Sequence, residues 1–302
     1  MAQVKKQVFR YIPPTVKILD NRFFFYLINI GRSFIPSSLC KFATRKLESF
    51  YLNKSNNKSI VYAQNHWIEI YENPAESILY KQKIYEQETT LFFRNYLQNG
   101  DTVYDIGANI GYFSLEFARS VGPSGTVFSF EPHPEIHSVL QRNIQRNNYK
   151  NIKILPFACG DKTGNTQLHF SKQNQGNHKI VSTPDMLGST TIDITTLDKF
   201  ISETPPRIIK MDIEGAELLA LKGIGRDNLR RMSIDFIIEF HPYEMSFFDI
   251  SGKELLRFLS DLNYKFIDLA DPDCSQVTET EILTKYRKED FGITNLYCTK
   301  SL

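Results

Sequence analysis

The chain has 302 residues, 41% hydrophobic and 23% charged, which supports one large or two modest globular domains. Its formal net charge of +2 gives no global field that would mark a nucleic-acid binder. Cys40, Cys159, Cys274 and Cys298 lie too far apart for zinc-ligand or redox spacing, so reduced thiols in a cytoplasmic protein are expected.

Residues 1–55 differ from the rest. Lys5, Lys6, Arg10, Lys17, Arg22, Arg32, Lys41, Arg45 and Lys46 are interleaved with Phe, Tyr, Ile and Leu, against the acids Asp20 and Glu48. The pattern predicts an N-terminal helical extension, with a pair of short helices. It also offers a basic, aromatic surface for peripheral contact with an anionic membrane at its inner face. No signal-peptide h-region follows the first residues. The apolar run Phe23–Ile28 is far shorter than the roughly 20 residues a membrane span needs.

Asn53–Ser59 reads as a linker, placing the main domain at 56–302. Two short strands are expected in the stretch "SIVYAQNHWIEIYE". A helix is expected in "KQKIYEQETTLFFRNYL", with Ile84, Leu91, Phe92 and Tyr96 at helical spacing and Asn99-Gly100 closing it. From Asp101 onward the chain alternates. Strands are predicted at Thr102–Ile106, Thr126–Phe130, Ile152–Phe157, Ile208–Ile213 and Ser233–Phe240. Helices are predicted at Gly111–Ser120, Pro134–Asn147, Ala216–Ile224 and Gly252–Leu262. "TQLHF" and "STTIDI" fit an inserted hairpin. "KFIDLA" and "ITNLYCTK" show no helix pattern between them and read as an antiparallel pair closing the sheet. The fold class is therefore α/β, with a mostly parallel sheet covered on both faces and a cofactor-binding core at about 84–241.

In such a sheet the ligand sits beyond the carboxyl ends of the strands, beside the first one. There the chain reads "TVYDIGANIGYFS". Asn109 stands where a dinucleotide site has its second glycine, and the Lys-Ser/Thr of a P-loop is missing. The turn Gly107, Ala108, Asn109, Gly111 thus suits phosphate poorly. Asp105 before it would repel a pyrophosphate but suits a cationic amino acid. Glu131, followed by Pro132 at the end of the second strand, can accept hydrogen bonds from two ribose hydroxyls. Asp161, after the third, is placed to accept from an adenine amino group. An adenosine with a cationic amino-acid tail and no phosphate is S-adenosylmethionine.

"VYDIGANIGYFS", "FSFEPHP", "ACGD", "TTLDKF", "IIKMDIEGAELLALKGI" and "IIEFHP" together resemble the FkbM-type family of class I methyltransferases, densely over about Glu86 to Gly225. The resemblance implies a Rossmann-like fold with a seven-stranded, mostly parallel sheet whose last strand is antiparallel. It implies S-adenosylmethionine-dependent methylation of a hydroxyl on a sugar, glycan or natural product, and Glu86 as a cofactor contact.

An alcohol gives up its proton reluctantly, so a positioned base contributes, typically by about 10²–10⁴-fold. Strand alternation puts Lys210, Asp212 and Glu214 on one face, and Glu239 and His241 on one face of the neighbouring strand. One arrangement is a buried ion-pair network with Lys210 bridging Asp212 and Glu239. The other has His241 as general base, oriented by Asp212 or Glu214. A magnesium ion on Asp212, Glu214 and Glu239 is a variant of the mechanism. His66, His133, His137, His169 and His178 read as surface or loop residues. The competing functions are a nicotinamide-dependent oxidoreductase, against which Asn109 weighs, and a non-catalytic S-adenosylmethionine-binding protein.

Overall fold

A computed structural model describes residues 59–63, 65–70, 84–171, 180, 186–271 and 273–301. All belong to one compact unit, Asn57–Leu302. The expected N-terminal helical extension, Cys40, His178 and most of the insertion after residue 171 lie outside the described residues.

The first described elements are the hairpin strands β1 (Ser59–Ala63) and β2 (His66–Ile70), antiparallel as expected, followed by helix α1 (Gln87–Tyr96). Next come β3 (Thr102–Ile106), α2 (Tyr112–Val121), β4 (Thr126–Phe130), α3 (Pro134–Asn147) and β5 (Ile152–Leu155). The insertion contains β6 (Phe157–Cys159), β7 (Gly164–Ser171) and β8 (Met186–Thr195). The chain continues through α4 (Asp198–Glu203), β9 (Ile208–Met211), α5 (Glu217–Ile224), α6 (Arg226–Arg231) and β10 (Asp235–Phe240). It ends with α7 (Pro242–Met245), α8 (Gly252–Ser260), β11 (Lys265–Asp268), β12 (Gln276–Val277), α9 (Glu279–Lys285) and β13 (Thr294–Thr299).

The main sheet has the order β12-β11-β13-β10-β9-β3-β4-β5. Strands β5, β4, β3, β9 and β10 are parallel, and β13 enters antiparallel between β10 and β11. Seven strands were expected; the eighth is the two-residue edge strand β12, antiparallel to β11. A helix, α9, also lies between the last two predicted strands. Its capping box, Thr278 with Glu281, was present in the sequence.

The third predicted strand is in fact two. Proline has no N–H to give a ladder, and the chain leaves the main sheet at Pro156. Strand β5 pairs with β4, whereas β6 pairs in parallel with β8 in a separate sheet of order β6-β8-β7. The expected hairpin is β7 and β8 of that sheet.

Period-two alternation sorts the sheet into two apolar layers. Tyr104, Ile106, Phe128, Phe130, Ile209, Met211, Phe236 and Ile238 pack against α5 and α8. Val103, Val127, Ile208 and Ile237 pack against α1, α2 and α3. Each such side chain contributes about 1.5–3 kcal/mol when fully buried. On α1 the helical spacing had put Leu91 on the inner face. The inner residue is Phe93, whose ring lies 4.4 Å from that of Phe117, while Leu91 is exposed.

Two buried polar residues tie the hairpin to this layer. Asn143 donates to the Glu69 and Ile110 carbonyls and accepts from the Glu69 N–H, linking β2 to the glycine turn. Glu116 receives Arg94 and Arg119, and lies 3.5 Å from His66 Nδ1. Burial alone would raise the Glu116 pKa, but these partners outweigh it and hold the carboxyl at about 2. His66 is thus a buried strand residue bonded to Tyr149 Oη, not a surface one. His133 is also buried, capping α3 through Nδ1. His137 and His169 are half-buried in α3 and β7. Among the described residues no helix is long and apolar enough to cross a membrane.

Candidate active site

The glycine turn is fastened on both sides. Gly107 and Ala108 donate backbone N–H groups to the Phe130 carbonyl at 3.0 and 2.9 Å. On the other side Gly107, at φ 83°, runs so close to β9 that a Cβ would lie 1.9 Å from the Asp212 carbonyl oxygen. Gly111, at φ 95°, caps α2, where a Cβ would meet the Leu140 side chain at 2.5 Å. Asn109 takes the left-handed conformation at φ 48°. Its N–H donates to Glu131 Oε2 at 2.9 Å, and its side-chain oxygen accepts from the Ile110 N–H. The second oxygen of Glu131 accepts from the His133 N–H at 2.9 Å.

A cavity of about 290 Å³ opens at the carboxyl edge of β3, β4, β9 and β10. Its wall includes Glu86, Asp105, Gly107, Ala108, Asn109, Glu131, Pro132 and Asp212 from the predicted cofactor set, and Lys210, Asp212, Glu214 and Glu239 from the predicted catalytic set. Three predicted residues lie outside it. Gly111 holds the turn from behind. His241 is half-buried at the start of α7, two residues beyond Glu239. Asp161 is exposed: after the break at Pro156 it lies in the bend between β6 and β7, and Phe157, Ala158 and Cys159 line the cavity instead.

Six carboxylates and one ammonium face this space. Lys210 is buried, with Nζ 2.9 Å from Asp212 Oδ2 and 4.6 Å from the centre of the Phe113 ring. Burial works against its charge, but Asp212, Glu86 and Asp105 outweigh that and raise its pKa. It pairs with Asp212, one half of the expected bridge; the other half, to Glu239, is not among its bonds in the described residues. One ammonium cannot neutralise every carboxylate around it. Burial therefore raises Asp105, with Lys210 and Ser114 opposing. Burial also raises Glu131, to about 7, against the N–H groups of His133 and Asn109. Glu239 is raised most clearly, by burial and then by Asp212, Glu214, Glu217 and Glu86. Ser114 Oγ donates to Asp105 Oδ2 at 2.6 Å, while Asp105 Oδ1 is buried with no hydrogen-bond partner.

Other contributors were not singled out in the sequence. Tyr85, Tyr112 and Phe113 add an aromatic wall, and Leu168 and Ile180 come from the insertion. Asn295 of β13 donates to Glu86 Oε2 at 2.8 Å, from 209 residues away. Glu217 accepts from the Ile213 and Gly215 N–H groups through Oε1, holding the turn after β9. Three non-glycine residues on the wall have left-handed backbones, Glu86 (φ 40°), Asn109 (φ 48°) and Glu214 (φ 56°). Strain of this kind, about 1–3 kcal/mol each, collects at functional sites. Among the described residues no group of three or more His, Cys, Asp or Glu is arranged to hold a metal ion.

A parallel sheet with its cavity at the carboxyl edge beside the first strand, completed by an antiparallel strand inserted next to β10, is the architecture of the Rossmann-like class I methyltransferases. The profile of the methyltransferase FkbM domain matches residues 105–266, more than half of the sequence. The chain belongs to the FkbM methyltransferase family. It is 28% identical over 215 residues to the hexuronic acid methyltransferase AglP of Haloferax volcanii, covering 69% of this chain and 76% of that protein. It is 28% identical over 144 residues to "Methyltransferase 1" of Beauveria bassiana, covering 40% of this chain and 57% of that one. A SAM-dependent O-methyltransferase structure from Thermotoga maritima aligns with a TM-score of 0.40 at 14% identity, over 84% of this chain and 81% of that one.

Proposed function

We propose that the cavity takes S-adenosylmethionine and that the protein is an O-methyltransferase acting on a hydroxyl of a sugar, glycan or related small molecule. The excess of carboxylates over cations around a glycine turn unsuited to phosphate carries this reading. A sulfonium and an ammonium gain from such a wall, and a pyrophosphate loses. Glu131 has both oxygens fixed by backbone N–H groups, leaving lone pairs for two ribose hydroxyls. Asp105, with a buried unpartnered oxygen, and Glu86 lie where the cationic amino-acid end belongs. Phe157, Ala158, Cys159, Leu168 and Ile180 offer an apolar slot for adenine. The hexuronic acid methyltransferase among the relatives favours a sugar acceptor.

S-adenosylmethionine, when bound, supplies the electrophilic methyl group. The chain's part is to place the acceptor oxygen, exclude water and receive the proton. Asp212, Glu214 and Glu239 stand on the wall for this; His241 does not. Glu239 is the proposed proton acceptor: it is a carboxyl on the wall, and the arriving sulfonium favours its ionised form against the burial and neighbouring carboxylates that raise its pKa. Asp212, anchored by Lys210, and Glu214 orient the acceptor. We also infer a cytoplasmic location, with residues 1–55 as a candidate contact to the membrane's inner surface. Flotation with anionic liposomes tests that contact, and equal flotation of a chain lacking residues 1–55 would remove it.

Calorimetry and labelled-methyl transfer test the main reading. S-adenosylhomocysteine should bind and NAD should not, and label should pass to an alkali-stable ether on a glycoside panel. Binding of NAD in place of S-adenosylhomocysteine would overturn it.

A further inference from the structure

Large apolar side chains are seldom left exposed in the described part of this protein, and two of them stand almost together. Phe291 is 61% exposed and Ile293 50%. Phe291 is also strained: it has φ 52° and closes the turn at Lys288–Asp290 by donating its N–H to the Lys288 carbonyl at 3.2 Å. Glycine takes that backbone without penalty, and a bulky aromatic does not. The chain thus holds a ring in water, at a position that disfavours it. Core packing explains neither fact.

The ring has company. Its centre lies 4.5 Å from that of Tyr243, which in turn lies 5.0 Å from Phe247. All three stand at the sheet edge where the cavity opens. Phe240, the last residue of β10, is the register partner of Thr294, so the Phe291 loop runs into β13 opposite His241. The next pair, Glu239 and Asn295, reaches the cavity wall itself through Glu239 and through the bond from Asn295 to Glu86. On the other flank α7, which carries Tyr243, presses on the turn that presents Glu214. A Cβ at Gly215 would lie 2.5 Å from the Glu244 backbone. None of the three rings lines the cavity itself; Glu239, Asn295 and the turn at Glu214 connect their elements to its carboxylate end.

The geometry points to Phe291, Tyr243 and Phe247 as an acceptor shelf that takes the apolar C–H face of a sugar ring while Glu214 and Glu239 meet its hydroxyls. A pyranose presents these two characters, a flat C–H face and a hydroxyl rim. The aromatic faces, with their negative quadrupole, attract the polarised C–H groups. The contact with the Tyr243 ring holds the Phe291 ring before the sugar arrives. This assignment rests on the methyl-transfer reading above. It adds a specificity surface outside the cofactor cavity.

The test uses the full-length protein, labelled S-adenosylmethionine, and the methyl glycosides of glucose and glucuronic acid as acceptors. Phe291→Gly removes the ring and relieves the backbone, so its Tm should equal or exceed the wild type. Its affinity for S-adenosylhomocysteine should be unchanged within about twofold, with acceptor KM raised about tenfold and kcat within about threefold. Phe291→Trp should keep KM within about threefold of wild type. Saturation-transfer NMR on the S-adenosylhomocysteine complex should show the sugar C–H protons receiving magnetisation from aromatic side chains, and weaken in Phe291→Gly. Glycosides methylated by wild type and by Phe291→Gly with equal KM would overturn the shelf and leave the methyl-transfer reading standing. Methylation of apolar alcohols alone would overturn the sugar as occupant. If S-adenosylhomocysteine does not bind the wild type, the underlying reading fails and takes the shelf with it.

Discussion

Asp105 is the register partner of Lys210 across β3 and β9, so a buried carboxylate and a buried ammonium stand side by side at the cavity wall. The ammonium is shared with Asp212 and Glu86. Removing it leaves buried negative charge uncompensated, which costs about 3–5 kcal/mol. Lys210→Met should therefore lower the unfolding free energy by about that amount in denaturant titration at pH 7.5. Lowering the pH, which protonates the carboxylates, should recover part of it.

Glu217 gives a pH prediction with a definite sign. Burial raises its pKa from 4.5 to about 7, against the N–H groups it receives, and Oε2 has no partner. A carboxyl with a raised folded pKa destabilises the fold progressively as pH climbs from 4.5 to 7, and has no effect below that window. Glu217→Gln keeps the acceptor at Oε1 and removes the charge. At 1.36 kcal/mol per pKa unit it should stabilise the protein by up to about 3 kcal/mol at pH 8. The gain should vanish at pH 4. A gain of equal size at both pH values would contradict the assignment.

Gly107 allows the closest approach in the site. Alanine there would put a methyl group 1.9 Å from the Asp212 carbonyl oxygen and force a side chain onto φ 83°. β3 and β9 are adjacent central strands and cannot separate locally. Gly107→Ala should cost more than about 3 kcal/mol and abolish S-adenosylhomocysteine binding, as read by denaturant titration and calorimetry. Gly188→Ala, where φ is not positive and the added carbon would meet only the Phe170 ring at an ordinary 3.7 Å, is the control for general tolerance.

The proposed proton acceptor can be separated from its neighbours. Gln reproduces the shape of a protonated Glu but takes up no proton. Glu239→Gln should cut turnover at least about 100-fold with cofactor affinity little changed. His241→Asn, outside the cavity wall, should cost less than about tenfold on the same scale. The reverse order would return the base to His241.

Much of the site was legible because it lies at strand ends, where a period of two fixes which side chains share a face. Lys210, Asp212 and Glu214 follow from "KMDIEG" by counting, and Gly107 to Gly111 from a strand that runs into glycines. What failed depended on distant partners. His66 looked exposed because its partner Tyr149 is 83 residues away. Phe93 rather than Leu91 faces inward because α2 supplies the Phe117 ring. Asp161 was counted from an unbroken third strand, although Pro156 stood in it. A proline inside an apolar run was the available signal, and it outranked the continuity of "IKILPFAC". Asn295 could not be found at all, since only the antiparallel return of β13 brings it to Glu86.

That proline also separates two hydrogen-bonded sheets. Among the described residues β6, β7 and β8 share no ladder with the main sheet, yet β6 and Leu168 of β7 supply one wall of the cavity. Such a sheet can open at lower free energy than the whole domain. Amide hydrogens of β7 and β8 should exchange faster than those of β3 and β9. A ligand gripping both walls should then slow exchange at Gln167 and Thr191 while leaving Val103 and Ile209 near the limit set by global unfolding. The cavity's rigid floor and its looser side wall would thus be distinguishable by mass spectrometry.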